Sequence, residues 1–326
     1  MEPLVRALVR GLVPPLGRHA SRGTLVVGGS SWSKKGRRRS LSSSSSDSDF
    51  ELSEHMATLG VYFTLPEQGV TSPEILTRCS ATPVRLTAES PLRFLAAGHA
   101  VLPWDFPGYF GDSKAWLKFL NETHVRYYAE LRNPSEGTIL AKHELISLAQ
   151  HSSRDVAALG LKDESWALDD FRSKGLPFTP LILRQKLLGR EDSLRIVGYE
   201  VRERPGAEQG EDPDMVMIRA KGELAARTAK QAFIRTDHAT LNPGMCGGAV
   251  LDDNLELCGC VEGVVPTAPP DAQVDGLLRE LQGMPCVVEW KDLDELLRAT
   301  VDAADIGDGS NHDKRQEGLS IQEEGR

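Results

Sequence analysis

A glycine-rich stretch around one cysteine carries the clearest chemical signal in the sequence. In residues 242–250 (NPGMCGGAV), Gly244, Gly247 and Gly248 surround Cys246, and an apolar strand-like run follows. Glycine adopts backbone angles closed to other residues, and it lets a substrate carbonyl approach the chain closely. Such a loop can aim the amides of Gly244 and Cys246 at one point, as an oxyanion hole requires. The stretch therefore predicts a thiol nucleophile with its own oxyanion site.

Two further stretches contain the partners that a thiol nucleophile needs. Residues 95–101 (LAAGHAV) form an apolar strand that ends in a small-residue turn presenting His99. Residues 154–159 (RDVAAL) open an apolar run with Asp155, and a partly buried carboxylate there needs a partner such as an imidazole. Taken alone, each feature has an ordinary structural explanation, because histidines after strands, aspartates in turns and buried cysteines occur widely. The order His99, Asp155, Cys246 along the chain favours one shared site.

Short apolar or alternating runs, separated by Pro, Gly and polar clusters, must position these residues. Runs of this length and spacing predict an all-β barrel or sandwich, because βαβ units would need long amphipathic helices between the strands. The predicted strands are Gly60–Thr64, Pro83–Leu86, Leu92–Ala97, His124–Leu131, Thr138–His143, Leu194–Val201, Met215–Ala220, Gln231–Arg235, Ala249–Leu251 and Leu257–Val265.

Four other segments differ from these strands. Ser113–Asn121 is predicted to form a short helix within a loop, and residues 204–213 (RPGAEQGEDP) a charged hairpin tip. Apolar residues at helical spacing predict an amphipathic helix over Lys291–Ala304. Residues 305–326 are acidic and polar, and they are predicted to be a disordered tail.

The three motifs together resemble those of the chymotrypsin-fold (trypsin-like) peptidases, in which His, Asp and nucleophile follow in this order. Ala96-Ala97-Gly98-His99 resembles the family's Ala-Ala-His turn, and residues 155–159 (DVAAL) resemble its Asp-Ile-Ala-Leu-Leu strand. Residues 244–248 resemble its Gly-x-Ser-Gly-Gly loop, with Cys246 in place of serine. That cysteine form is typical of picornavirus-type cysteine proteinases.

The likeness covers roughly residues 57–304. Residues 257–263 resemble the strand that lines the family's substrate pocket, and the helix beginning near Lys291 resembles its closing helix. The resemblance implies one domain of two six-stranded antiparallel β-barrels with a C-terminal α-helix. Barrel one would span about residues 57–165 and barrel two about residues 178–290.

The resemblance also implies acyl transfer as the reaction. Cys246 would be the nucleophile and His99 its general base, later the acid that protonates the leaving amine. Asp155 would orient the imidazole and stabilise its charged form. The amides of Gly244 and Cys246 would hold the oxyanion.

The substrate pocket would lie at Thr240 and along Val261, Glu262 and Gly263. Trypsin-like enzymes that cleave after Arg or Lys have Asp at the position of Thr240, so that specificity is not implied. Picornavirus-type enzymes have a His for glutamine on the pocket strand, where this chain has Cys260-Val261-Glu262. Glu262 either makes the pocket negative or is a solvated strand residue.

Three interpretations of the sequence remain open. The chain is an active cysteine peptidase, a catalytically inactive relative that serves as a binding or scaffold module, or an unrelated β protein with chance matches. A site that had lost its serine would have no reason to keep His99, Asp155 and three loop glycines, which favours activity. The active interpretation predicts that His99 lies within hydrogen-bond reach of both Asp155 and Cys246.

Charge is distributed unevenly along the chain. The 38 Lys and Arg residues against 47 Asp and Glu give a net charge of -9. Residues 1–46 contain nine basic residues and one acid, so the rest of the chain carries -17. Residues 4–13 read as a basic amphipathic helix, and an Arg- and Ser-rich stretch follows it. We therefore expect residues 1–56 to be a transit-peptide-like disordered segment that directs the protein to mitochondria, with a plastid or cytoplasmic location as the alternative.

Composition narrows the class of partner. No window approaches 18 uninterrupted apolar residues, which argues against a membrane-spanning helix. The acidic balance argues against general nucleic-acid binding. The five cysteines include no C-x-x-C pair and no zinc-type spacing, so neither a disulfide framework nor a metal site is predicted. The expected partner is a peptide or protein substrate, without a cofactor, and the sequence does not set the oligomeric state.

Overall fold

The computed structural model describes residues 55–110, 112–176, 178–202, 214–238, 241, 244–267 and 276–308. The described residues are mostly β, with one closed barrel and a second sheet. The strands are β1 (Ala57–Leu65), β2 (Val70–Arg85), β3 (Arg93–Ala96), β4 (Val125–Arg132), β5 (Ile139–Gln150), β6 (Ala157–Leu161), β7 (Leu181–Ile182), β8 (Leu194–Arg202), β9 (Asp214–Arg227), β10 (Ala232–Thr236), β11 (Ala249–Leu251), β12 (Leu257–Val264) and β13 (Pro285–Glu289).

Helices are short except at the C-terminal end of the described chain. The α-helices are α1 (Gly98–Val101), α2 (Pro107–Phe110), α3 (Glu164–Ser173), α4 (Gly276–Leu281) and α5 (Trp290–Asp308). Single 3₁₀ segments cover Pro66–Gln68, Pro103–Asp105, Asp112–Phe119 and Glu122–His124. Within the described ranges, no helix is both long enough and apolar enough to cross a membrane.

The C-terminal strands close into a six-stranded barrel in the order β10-β13-β12-β11-β8-β9. Every neighbouring pair in this barrel is antiparallel. Its interior is filled by aliphatic side chains, among them Ile196, Val250 and Val287. The barrel carries the cysteine loop, which directly precedes β11.

The N-terminal strands form a sheet in the order β1-β4-β5-β6-β3-β2-β7, and β1 also pairs with β2. All pairings are antiparallel except the short parallel contact of β7 with β2. Apolar residues from β1, β3, β4 and β6 fill the core of this sheet. The sheet carries both the histidine turn after β3 and the aspartate before β6.

Helix α5 packs against both the barrel and the N-terminal sheet. Its buried residues Leu293, Leu296 and Leu297 recur at helical spacing, and they pack in one cluster with residues of both sheets. Leu95 of β3 and Val197 of β8 belong to the same cluster. The predicted C-terminal helix is therefore confirmed, and it extends four residues beyond its predicted end at Ala304.

The ten predicted strands all overlap observed ones, but several elements escaped prediction. Residues 70–82, which are most of β2, include Pro73 and begin with a largely exposed stretch that lacks clear alternation. Helix α3 was also missed, although Asp163 caps it by accepting the Trp166 N–H at 3.0 Å. The helix predicted over Ser113–Asn121 is a 3₁₀ segment, Asp112–Phe119, which begins one residue earlier and ends two residues earlier. The predictions for residues 1–54, 204–213 and 309–326 fall outside the described residues.

Candidate active site

Strand pairing brings His99 and Asp155 together. In the β3–β6 ladder Ala96 lies opposite Ala157, so the residues just after β3 meet those just before β6. Helix α1 then turns His99 toward Asp155. The Asp155 Oδ2 lies 2.7 Å from the His99 Nδ1, and its Oδ1 accepts the His99 backbone N–H at 2.7 Å. Both carboxylate oxygens therefore hold the same histidine, which fixes the position and the tilt of its ring.

The loop that carries Cys246 is bonded to both sheets. The Gly247 N–H donates to the Val261 carbonyl on β12 at 2.8 Å. From β2, the Ser80 N–H donates to the Gly244 carbonyl at 2.7 Å, and the Thr82 hydroxyl donates to the Gly247 carbonyl at 2.7 Å. The Cys246 loop therefore lies where the barrel meets the N-terminal sheet.

Two glycines of this loop are required by its geometry. Gly244 and Gly247 have φ angles of 103° and 85°, a region that residues with a side chain rarely adopt. A Cβ on Gly247 would overlap the Ser80 carbonyl oxygen, and one on Gly244 would lie 2.8 Å from the Tyr199 carbonyl oxygen. Within the described residues, the N–H groups of Gly244 and Cys246 have no backbone acceptor. The N–H groups of these two residues are therefore not used in strand pairing, and both lie in the loop that carries the thiol.

The electrostatics of the site favour a charged imidazole. Burial of His99, which is 6% exposed, opposes its protonation. The charge of Asp155 and its hydrogen bond outweigh that penalty, and the proximity of Cys246 acts in the same direction. Together these interactions raise the pKa of His99 to about 10. His99 therefore stays protonated at neutral pH, with the Asp155 carboxylate as its counter-charge.

Cys246 differs from the other four cysteines in its access to solvent. All five are free thiols, and only Cys246 is partly exposed. Burial raises the pKa of Cys79, Cys260 and Cys286, which keeps these thiols protonated and poorly nucleophilic. Reactivity in this chain is therefore expected to concentrate at Cys246.

Tyr109 is a member of the site that the sequence did not reveal. Its ring stacks on His99 with 3.8 Å between ring centroids, and its hydroxyl oxygen lies 3.9 Å from the Cys246 Sγ. Burial and the charge of Cys246 raise the pKa of Tyr109, so the phenol keeps its proton. The Phe106 ring meets the His99 ring edge-on. The aromatic residues that crowd the segment just after His99 were the available signal, in a chain with 6% aromatics.

The predicted substrate-binding residues are mostly interior. Val261 is fully buried and packs in the barrel core, and Gly263 is buried on the same strand. Glu262 is 6% exposed, so the interpretation of Glu262 as a solvated strand residue is wrong. Its carboxylate is bonded to Arg154, Asp155 and Gln231. Thr240 falls outside the described residues, and a pocket formed by these four residues stays a prediction.

A metal centre has no support in the described ranges, which contain no group of three or more His, Cys, Asp or Glu residues that could hold an ion. A scan of the sequence against protein-family models finds no match, and a search of curated proteins finds no similar sequence. The resemblance to a peptidase family therefore depends on the motifs and on the geometry that joins them.

Proposed function

We propose that the chain is a cysteine-type endopeptidase of trypsin-like fold, with Cys246 as the nucleophile, His99 as the acid–base and Asp155 as the residue that orients it. The observation that carries the proposal is a convergence of distant residues. His99 is hydrogen-bonded to Asp155, 56 positions away, and the Tyr109 side chain contacts both the His99 ring and the Sγ of Cys246, which lies 147 positions from His99. A carboxylate–imidazole–thiol relay is the arrangement that acyl transfer uses.

The resting site is a thiolate–imidazolium pair in this mechanism. The raised pKa of His99 keeps its ring protonated at neutral pH, and the proposed mechanism places the matching negative charge on the Cys246 sulfur. The Cys246 thiolate attacks the carbonyl carbon of the scissile peptide bond, and a C–S bond forms. The carbonyl oxygen becomes an oxyanion, and the N–H groups of Gly244 and Cys246 stabilise it by donating hydrogen bonds to it.

Collapse of this intermediate breaks the C–N bond. The His99 imidazolium donates its proton to the leaving nitrogen, so the amine departs neutral and a thioester on Cys246 remains. The now neutral His99 takes a proton from water, and the resulting hydroxide attacks the thioester carbonyl. The acid product leaves as the C–S bond breaks, and the thiolate–imidazolium pair is restored.

The strand pairings support the double-barrel form of this fold. In the N-terminal sheet, the pairings run from β1 through β4, β5, β6, β3 and β2, and β2 pairs with β1 again. A ladder that returns to its first strand is the connectivity of a closed six-stranded barrel. Under this proposal the catalytic residues lie between two barrels, with His99 and Asp155 on the first and Cys246 on the second.

The substrate is a peptide or protein, and the described pocket residues give no support for cleavage after Arg or Lys. Selection of a cationic side chain needs a free carboxylate in the pocket. Glu262 is the acidic residue of the predicted pocket strand, and Arg154 already neutralises it at 2.8 Å. A mitochondrial location, predicted from residues 1–56, remains part of the proposal.

A second candidate is a catalytically inactive trypsin-like scaffold. The observation that favours it is Tyr109, which is 7% exposed and covers the ring of His99. If the ring never moves, a substrate nitrogen cannot reach the imidazole, and the fold would serve only as a binding module.

Labelling with an electrophilic peptide probe separates the two candidates. The probe is compared on the wild type, Cys246→Ala and His99→Ala, with Cys258→Ala as a control for a thiol that is buried on the same barrel. We expect strong labelling of the wild type and of Cys258→Ala, and little labelling of the other two. Equal labelling of all four proteins would contradict the enzymatic proposal.

A further inference from the structure

Glu262 makes a set of contacts that substrate binding does not explain. It lies on β12 of the closed barrel, and it is almost fully buried. Its Oε1 accepts the Asp155 backbone N–H at 2.8 Å. Its Oε2 accepts from the Arg154 Nη2 at 2.8 Å and from the Gln231 Nε2 at 2.7 Å. A carboxylate whose two oxygens are already bonded is a structural link rather than an open recognition group.

The charge of Glu262 is balanced inside the protein. Arg154 is equally buried, and its side chain is 4% exposed. The Arg154 Nε also lies 3.2 Å from the Asp292 Oδ2 on α5, an ion pair without hydrogen-bond geometry. A buried carboxylate is tolerated when an opposite charge and hydrogen bonds replace its hydration, and all of these are present at Glu262.

Consecutive residues of β12 hold the two halves of the site. The Val261 carbonyl accepts the Gly247 N–H at 2.8 Å and so fixes the nucleophile loop. The Glu262 carboxylate accepts the Asp155 N–H and so fixes the loop between β5 and β6. Asp155 in turn holds His99, which belongs to the N-terminal sheet. The relative position of thiol and imidazole therefore depends on one strand that contacts both loops.

We propose that Glu262 is a positioning residue: with its charge balanced by Arg154, it anchors the backbone of Asp155 and thereby fixes the position of His99 relative to the loop of Cys246. This inference rests on the proposed function, because it assigns Glu262 a part in the same site. Glu262 touches no reacting atom, and its effect reaches the thiol only through Asp155 and His99.

The test is the pH dependence of Cys246 alkylation by iodoacetamide, followed by peptide mapping. Alkylation needs only the thiolate, so it reports the Cys246–His99 pair without any substrate. In Glu262→Gln only one side-chain oxygen remains, so either the Asp155 N–H or the Arg154 and Gln231 donors face the amide NH₂ in place of an acceptor. We expect the pH of half-maximal alkylation to rise by about one unit, equivalent to about a tenfold smaller thiolate fraction. With an active substrate, kcat is expected to fall about tenfold with KM changed by less than about twofold.

Glu289→Gln is the matched control. Glu289 lies on β13 of the same barrel. Like Glu262, its carboxylate accepts hydrogen bonds from an arginine side chain, that of Arg227, and from a backbone N–H, that of Leu188. Its substitution is expected to leave the alkylation profile unchanged. If Glu262→Gln does not fold, the double variant Arg154→Met/Glu262→Leu carries the test, because it leaves no unpaired charge in the core.

The outcomes separate this inference from the proposed function. If the wild-type profile matches that of His99→Ala, the thiol has no active imidazole partner, and both proposals fail. If the wild-type profile differs from His99→Ala but a folded Glu262 variant matches the wild type, the positioning role alone is overturned. A shift in the Glu262 variant with no shift in Glu289→Gln is the result expected.

Discussion

The ring of Tyr109 lies almost parallel to the ring of His99, with 18° between the ring planes. Its hydroxyl oxygen lies 3.9 Å from the Cys246 Sγ, so one side chain contacts both His99 and Cys246. The short helix α2 that carries Tyr109 lies in the segment of helical turns between His99 and β4. In this conformation the Tyr109 ring covers one face of the His99 imidazole. Under the proposed function, a peptide must displace the Tyr109 ring to reach the imidazole.

Removal of the Tyr109 ring is expected to open the site. In Tyr109→Ala, labelling of Cys246 by a peptide probe should become about three- to tenfold faster, because the uncovered state no longer has to be populated first. Tyr109→Phe keeps the stack and removes only the hydroxyl, so it should label more slowly than Tyr109→Ala. A labelling time course, quenched at intervals and analysed by mass spectrometry, measures the labelling rate of each variant. A folded Tyr109→Ala with the wild-type rate would show that the ring is no barrier.

Stability is expected to depend on the charge of His99. Its folded pKa of about 10 lies above the ordinary value of about 6.5, because the charge of Asp155 outweighs the effect of burial. The stabilisation is therefore complete below pH 6.5 and is lost as the pH rises toward 10. Urea unfolding from pH 6 to pH 10 should show a steeper loss of free energy for the wild type than for Asp155→Asn. Parallel curves for the two proteins would contradict the assigned charge state.

The nucleophile loop should not tolerate a side chain at Gly247. Gly247→Ala is expected to destabilise the fold by more than about 2 kcal/mol, because the new Cβ meets the Ser80 carbonyl and the φ angle is strained. Gly69→Ala is the matched control, since Gly69 has a φ angle of 83° and open space around its Cα. Thermal unfolding compares the two variants. Equal losses would mean that the φ angle alone, and not the contact with Ser80, restricts this position.

The N-terminal sheet contains a buried charge cluster whose loss should be costly. Burial tends to raise the pKa of Glu130, but the charges of Arg78 and Arg132 outweigh it and hold the pKa below its ordinary value. Glu130→Gln is expected to cost about 3–5 kcal/mol at pH 7, because two buried cations lose their partner. The difference in free energy of unfolding between the wild type and Glu130→Gln should shrink at low pH, where acid protonates the Glu130 carboxylate of the wild type.

An exposed ion pair provides the comparison for this cluster. The Arg235 Nη1 lies 2.9 Å from the Glu223 Oε1, and both side chains are mostly exposed to solvent. Glu223→Gln should therefore change the free energy of unfolding by less than about 1 kcal/mol. Chemical denaturation at pH 7 and pH 3 measures both variants. If Glu130→Gln were as mild as Glu223→Gln, the buried cluster would not stabilise the sheet.

The sequence predicted the elements that carry the motifs better than the contacts between them. Residues Leu257–Val265 were predicted as a strand and are observed as β12 with one residue fewer, because a run of buried apolar residues has a clear local pattern. The ion pair of Arg154 with Glu262 joins positions 108 residues apart, and no local pattern encodes such a pairing. For that reason Glu262 was predicted as a pocket or surface residue and not as a buried link.

The contact between His99 and Asp155 follows from the register in which β3 pairs with β6. The sequence predicted each motif, but only the pairing of Ala96 with Ala157 sets their relative position. The stack of Tyr109 on His99 could not be predicted, because it follows from 3₁₀ and short helical turns with weak sequence signals. Both contacts required the folded chain.

The most direct test of the central claim is peptide-bond hydrolysis in water enriched in ¹⁸O. A mixed peptide library is incubated with the wild type and with Cys246→Ala, and new C-termini are identified by mass spectrometry. We predict new C-termini that carry ¹⁸O with the wild type and none with Cys246→Ala, because water cleaves the thioester on Cys246. No new termini with the wild type, or the same set with both proteins, would contradict the assignment of Cys246 as a peptidase nucleophile.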